Sequence, residues 1–376
     1  MAYIADAYPA PNPVVAPKIP PPVKTRFASI DALKGLAILA LWIVNSAPTT
    51  APNWLRPGHW GHPTFADIIF PALILGIGAG LAVYAEFSKT TTHFGTYFLK
   101  CASRAFWLIL FGVIVASAIA RRPVLGLGAL QLLGLAYLIN ALLARTHLIF
   151  RGFVAEGMLL AFYAWVRLTP VPNTLPGTFD EHSNIIRYVN DLTLAPQGLS
   201  GLFALISITS IMMMGTVAGS VYQMEDNRFK RGIIIALTGA TLAFFGWLWS
   251  LDLAMTATWW TSSYALFAAG IAGAVLGLFI IAFDFDDGHK FSYPIMVTST
   301  CVLLGLAGPP LLKAFVLDNW RMPVGDENLG KGLQQLVTQH GTYPWMYTLA
   351  IVLLWWFVMV IAYHRRKWVK EKYGLD

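Results

Sequence analysis

Residues 64–85 read TFADIIFPALILGIGAGLAVYA, a run in which Asp67 is the one charged side chain. Its length and apolarity match the roughly 20 residues a helix needs to cross the ~30 Å hydrocarbon core of a bilayer. Hydropathy, with Gly, Pro and charge as punctuation, predicts nine more such stretches, at about 33–49, 104–120, 124–144, 149–166, 199–222, 232–250, 261–283, 293–316 and 345–363. The expected fold is all-α, a polytopic membrane bundle of about ten transmembrane helices. Several stretches are short and Gly-rich, which predicts tilted or closely packed helices.

Composition points the same way. The 376 residues are 57% apolar, 14% aromatic and 12% charged, against about 25% charge in a soluble domain. So few polar groups cannot cover a water-facing surface of normal size, which excludes soluble enzymes, DNA readers and disulfide-rich modules. Cys101 and Cys301 sit at or within apolar stretches and read as small packing residues, so neither redox chemistry nor a metal site is expected. The formal net charge of +7 comes without a long basic run, so no nucleic-acid partner is expected either.

The cations set the orientation. With the N-terminus cytoplasmic, the inner side holds 18 of the 26 Lys and Arg residues, among them Lys34, Lys100, Arg104, Arg145, Arg151 and the 365–372 cluster. That asymmetry favours N-in and C-in with an even number of spans. The Pro-rich residues 1–26 lack a signal-peptide pattern and read as an unstructured cytoplasmic lead. Residues 27–363 form the membrane domain and 364–376 a basic cytoplasmic tail. Three outer segments, about 50–63, 167–198 and 317–344, are long enough to form a lid over a cavity on the non-cytoplasmic face.

The few polar residues in or beside spans are the candidates for chemistry. An Asp in a bilayer costs on the order of 3 kcal/mol, so Asp67 requires a partner. Two roles suit it: a brace at the start of its helix, against Thr64 or His59, or an orienter of a catalytic imidazole. His59 and His62 stand beside Trp60 at the membrane edge, where an imidazole can act as a base or simply face solvent. Asp31 and Lys34 are spaced for a local ion pair. Lys34 with Lys100 and Arg104 suits either ordinary inner-edge charge or the phosphates of a cytosolic nucleotide-like donor. Gln131, inside the fourth span, needs a partner in the bundle or a ligand.

Taken together, these segments resemble one known family. RFASIDALKGLAILALWIVN at 26–45, Trp60, and PTFADIIFPALILGIGAGLA at 63–82 are similar to the opening signature of the heparan-alpha-glucosaminide N-acetyltransferase family of membrane acyltransferases. The resemblance continues through KCASRAFWLILFGVIVA at 100–116, GALQLLGLAYL at 128–138, the segments at 184–219 and 259–272, and the Trp-rich last span, covering nearly the whole chain in order. It implies transfer of an acetyl group from cytosolic acetyl-CoA, or another acyl-CoA, to a sugar amine across the membrane. The Asn implicated in catalysis corresponds to Asn45, and the Thr and Asp of the second span to Thr64 and Asp67. Three positions depart from the pattern. Pro57 stands where the family carries its loop His, with His59 the nearest imidazole; Leu132 replaces an Arg; and VTSTC at 297–301 replaces a Gly-Met-Asn pattern.

The resemblance thus implies His59, Asn45 and Asp67 as catalytic residues and Lys34, Lys100, Arg104 and Gln131 as contacts to the donor. The expected partners are the bilayer, a sugar or glycan acceptor and, as a homodimer, a second copy; the expected location is a bacterial cytoplasmic membrane. A transporter of a sugar, lipid precursor or small metabolite on the same fold is the alternative. A third reading has the outer loops docking an envelope partner around a filled bundle core.

Overall fold

A computed structural model describes residues 27–172, 174–175, 177–285, 288–320, 328–333 and 344–373. Residues 1–26 of the lead, 374–376 of the tail and much of the third outer segment lie outside it. The described elements are helical: α1 (Ala28–Ser46), α2 (Phe65–Thr91), α3 (Phe94–Ala120), α4 (Ala129–Leu143), α5 (Leu148–Leu168), the short α6 (Ile185–Val189), α7 (Ala204–Met224), α8 (Arg228–Trp249), α9 (Ser262–Phe283), α10 (Gly288–Met296), α11 (Val302–Leu312) and α12 (Met346–Tyr373). Eight of these are long and apolar enough to cross a membrane. A ninth crossing is broken, its halves Ser292–Ser299 and Val302–Leu317 meeting at 75°. The 15 residues of α4 occupy the remaining apolar stretch. At 1.5 Å per residue α4 is about 22 Å long, short of the hydrocarbon thickness. The extended chain before it packs on the second outer segment, Gly126 lying against the Gly198 carbonyl. The chain is therefore an all-α integral membrane bundle with a span count near ten.

Helices α1, α2 and α7 bury most of their length, whereas α3, α5, α8 and α12 bury less than a third of theirs. Between helices in lipid there is little hydrophobic drive, so close contact depends on small residues that let backbones approach. Gly215 and Gly219 of α7 supply that contact to α2: a Cβ on Gly215 would lie 2.2 Å from the Leu75 carbonyl oxygen and one on Gly219 2.5 Å from that of Ala79. Gly232, Gly239 and Gly246, seven residues apart on α8, do the same along α9 at Gly277, Gly270 and Phe267. Ile208, Ile211, Met212 and Met213 of α7 are fully buried at the centre.

Proline leaves a carbonyl unpaired one turn back, which in hydrocarbon needs a substitute donor. Pro71 in α2 frees the Asp67 carbonyl, and the Tyr264 hydroxyl of α9 donates to it at 2.6 Å. Pro309 in α11 frees the Gly305 carbonyl, and Trp42 Nε1 of α1 donates to it at 2.8 Å. The break in the ninth crossing is treated similarly. Arg366 Nη1 of α12 donates to the Thr300 carbonyl at 3.0 Å, while Thr298 Oγ1, within the break, ties it to α1 by donating to the Gly35 carbonyl at 2.9 Å. At the inner side Asp284 caps α1 from 255 residues away, accepting from Ser29 N at 3.1 Å, Ser29 Oγ at 2.7 Å and the Tyr222 hydroxyl at 2.7 Å.

Replacing one of the cross-helix donors strands a carbonyl without water. Tyr264→Phe and Trp42→Phe are each expected to destabilise the bundle by about 1–3 kcal/mol, read as a lower midpoint for unfolding in detergent. The exposed Trp54→Phe serves as the control and should leave the midpoint unchanged.

Candidate functional site at the outer membrane edge

The outer end of α1 carries Asn45, exposed, and the chain returns to the bilayer at Thr64, the N-cap of α2. Between them His59, Trp60, Gly61 and His62 make a tight turn, in which His62 N donates to the His59 carbonyl at 3.0 Å and Gly61 takes a left-handed φ of 79°. Glycine suits that position because a Cβ is disfavoured there. The turn is anchored on two sides. Gly61 N donates to the Met255 carbonyl at 3.0 Å, and the Trp60 ring meets that of Phe179 with centroids 5.1 Å apart. His59 and His62 thus pair side by side as an isolated bridge, both exposed.

Asp67 is what holds this turn over α2. Its Oδ2 accepts from Gly58 N at 2.9 Å, from Thr64 N at 2.8 Å and lies 3.2 Å from Thr64 Oγ1. A carboxylate in the first turn of a helix also complements the helix dipole. This is the bracing geometry, and the carboxylate makes no contact with an imidazole among the described residues; its effect on His59 runs through the backbone at Gly58. The side chains of Asn45, His59 and His62 make no hydrogen bond among the described residues. A cleft of about 340 Å³ opens between the end of α1 and the loop, lined by Val44, Ala47, Thr49, Leu55, Arg56 and Pro57. Pro57 therefore sits in the cleft wall, two residues before His59.

The expected donor contacts fall into two groups. Lys34 pairs with Asp31 at 2.6 Å, both largely buried, with its alkyl chain across Gly76 of α2. Arg104 stacks on the Tyr84 ring at 4.4 Å and donates to the Tyr137 hydroxyl at 3.2 Å, and Lys100 is exposed one helical turn earlier. Neither Lys100 nor Arg104 has a carboxylate partner among the described residues. Gln131 is not with them. It belongs to the first turn of α4, where its Oε1 fills the hollow left by Gly112 and Gly128 and its buried Nε2 has no partner among the described residues. Tyr137, which meets Arg104, lies six residues or about 9 Å further along that helix.

Three charged groups stand out that the sequence reading did not single out. Arg151 of α5 is 3% exposed and donates to the Thr216 carbonyl at 3.1 Å and to Ser220 Oγ at 2.5 Å, tying α5 to α7 without a carboxylate. Glu156, half-buried in the same span, has no hydrogen-bond or ion-pair partner among the described residues. Its signal was available, since it is the one acidic group inside the apolar run 149–166, the criterion that drew attention to Asp67. On the outer side Asp252 receives the Tyr163 hydroxyl at 2.6 Å and Arg167 Nη2 at 2.8 Å. Its pKa is held below the ordinary carboxylate value, chiefly by the Tyr163 hydrogen bond and further by Arg167. Among the described residues no three His, Cys, Asp or Glu side chains gather as a metal site.

Compared with protein-family models and with curated proteins, the chain finds no match.

If Asp67 acts as the brace, Asp67→Ala frees the Gly58 and Thr64 amides. Loss of a helix cap costs about 1 kcal/mol, so hydrogen exchange at residues 58–64 is expected to quicken by about fivefold to tenfold. Amides in the interior of α2 should keep their protection.

Proposed function

We propose that this chain transfers an acyl group, in the first instance acetyl, from acyl-CoA on the cytoplasmic side to a sugar amine or hydroxyl on the other side of the membrane. The observation that carries the reading is the distribution, at the two ends of one bundle, of polar groups that no carboxylate or imidazole partner engages. His59 and Asn45 are exposed at the outer edge, and Lys100 and Arg104 stand at the inner edge without carboxylates. The ordered resemblance along nearly the whole chain supports the same reaction, and a bacterial cytoplasmic membrane is the compartment it suits.

In this proposal Lys100 and Arg104 bind the donor's phosphates, with Lys34 joining if Asp31 releases it. The pantetheine arm runs between helices and brings the thioester to the outer edge, so the whole donor need not cross. His59 takes a proton as the acceptor nitrogen or oxygen attacks the thioester carbonyl, and Asn45 donates a hydrogen bond to the oxyanion that forms. Collapse breaks the C–S bond, and the imidazolium returns its proton to the CoA thiolate. Asp67 keeps the backbone of the His59 turn in place. Gln131 lies too far from the cations to share the phosphates and would meet only the thioester arm.

The broken ninth crossing favours a second reading, because discontinuous helices recur in transporters that move solutes past a bilayer midplane. A transporter of a sugar, lipid precursor or small metabolite would show counter-ion dependence and no affinity for CoA.

Purified protein given labelled acetyl-CoA and a panel of amino sugars tests the assignment. The parent chain and His62→Ala are expected to turn over. His59→Ala should lose at least about 100-fold, the usual contribution of a general base, and Asn45→Ala about 100-fold, that of one oxyanion donor. Full activity in His59→Ala removes the assigned base, and absence of turnover in every pairing removes the enzyme reading.

A further inference from the structure

The last helix carries a surface that the proposed transfer chemistry leaves unused. At 28 residues α12 is about 42 Å long, some two turns more than the ~30 Å hydrocarbon core requires. Residues 364–373, its final turns, hold Arg365, Arg366, Lys367, Lys370 and Lys372 against the single acid Glu371. Helical spacing divides α12 between two faces. Trp355 and Met359 are buried in the bundle, and Arg366, seven residues on from Met359, donates to the Thr300 carbonyl at 3.0 Å. Leu353, Phe357 and Ile361 lie on the opposite face, each more than half exposed.

That outward stripe runs straight into polar chemistry. Ile361, Arg365, Trp368 and Lys372 follow Phe357 at four, eight, eleven and fifteen residues, the 3.6-residue repeat of one helix face. Arg365, Trp368 and Lys372 are all exposed, and Lys372 Nζ stands 4.6 Å from the centre of the Trp368 ring. The rotation of this end is fixed by α10. The Tyr293 hydroxyl lies 3.1 Å from His364 Nε2, the Tyr293 ring meets that of Tyr363 edge-on with centroids 5.6 Å apart, and Trp356 Nε1 donates to the Pro294 carbonyl at 2.8 Å. The cationic turns are therefore held as a continuation of the span.

We infer that this end of α12 binds an anionic membrane lipid, its acyl chains along the Leu353, Phe357 and Ile361 stripe and its phosphate at Arg365 and Lys372. Only a molecule apolar at one end and anionic at the other matches the whole surface. Hydrocarbon suits the stripe, charge-assisted hydrogen bonds from the two cations suit a phosphate, and the indole of Trp368 suits the boundary between them. The planar guanidinium of Arg365 can take two phosphate oxygens at once, and Lys372 adds a second charge. Free phosphate would meet the cations and leave the stripe unused. A zwitterionic lipid carries its own ammonium beside the phosphate and offers the cations no net charge. The face points away from the bundle, so the site lies outside the route drawn for the acyl donor and does not rest on the transfer reading.

Calorimetric titration of the full chain in detergent, with dioctanoyl phosphatidylglycerol, dioctanoyl phosphatidylcholine and inorganic phosphate as probes, tests this. The parent should bind the anionic lipid at least about tenfold more tightly than either other probe, since each cation near a charged headgroup is worth about fivefold. Lys372→Gln should lower the preference by about fivefold, and Arg365→Gln with Lys372→Gln in one chain should remove most of it. Both side chains are exposed, so these variants should keep the parent's unfolding midpoint. Lys230→Gln, which removes an exposed cation at the start of α8, should keep the full preference. The inference is overturned if the two lipids bind alike, if the double variant keeps the preference, or if Lys230→Gln lowers it as much, which would make the attraction one of diffuse charge. Inorganic phosphate binding as tightly as the anionic lipid would also overturn it, leaving a site for a free anion.

Discussion

A backbone carbonyl inside hydrocarbon has no water to turn to, and this chain repeatedly breaks its own helical ladder. Pro71, Pro309 and the break between Ser299 and Val302 each leave polar backbone groups that another helix must satisfy. The donors that answer, Tyr264, Trp42 and Arg366, come from α9, α1 and α12. Each bond fixes the depth of one helix against its neighbour. The bond from Tyr264 reaches the carbonyl of Asp67, so the residue whose side chain braces the His59 turn is itself tied by its backbone to α9. The outer loop inherits its position from a proline one turn below it.

Glycine contacts supply the rest of the frame. Approach of α7 to α2 and of α8 to α9 places bare backbone against backbone, and a single methyl at Gly215 or Gly239 would collide with main-chain atoms that cannot swing aside. Large apolar side chains on α3, α8 and α12 face outward, where lipid covers them. A rigid inner layer and a lipid-facing outer layer leave the loops at the two membrane faces as the places where polar chemistry can gather.

Much of this was legible in the sequence. Runs of low charge located the long apolar helices, because apolar length is the property a bilayer selects, although α3 begins ten residues before the expected 104 and α12 ends ten after the expected 363. Asp31 with Lys34 was readable as an i,i+3 pair, since helical periodicity alone brings the two together. What hydropathy could not reveal was the break between 299 and 302, where VTSTC is apolar enough to pass as continuous helix. Nor could it show which role Asp67 takes, because that depends on the Gly58 amide folding back nine residues to meet it. Gln131 read as a polar group in need of a partner, but nothing in one sequence says that it faces Gly112, two turns along α3 from Arg104.

Sidedness is the most direct test of acyl transfer across the membrane. In proteoliposomes of uniform orientation, with labelled acetyl-CoA confined to the face bearing Lys100 and Arg104 and the amino sugar confined to the face bearing His59, the acylated sugar should form only in the sugar compartment, while free CoA stays with the donor. Product formed only when donor and sugar share one face, or movement of unmodified sugar across the bilayer with acetyl-CoA untouched, would contradict the account.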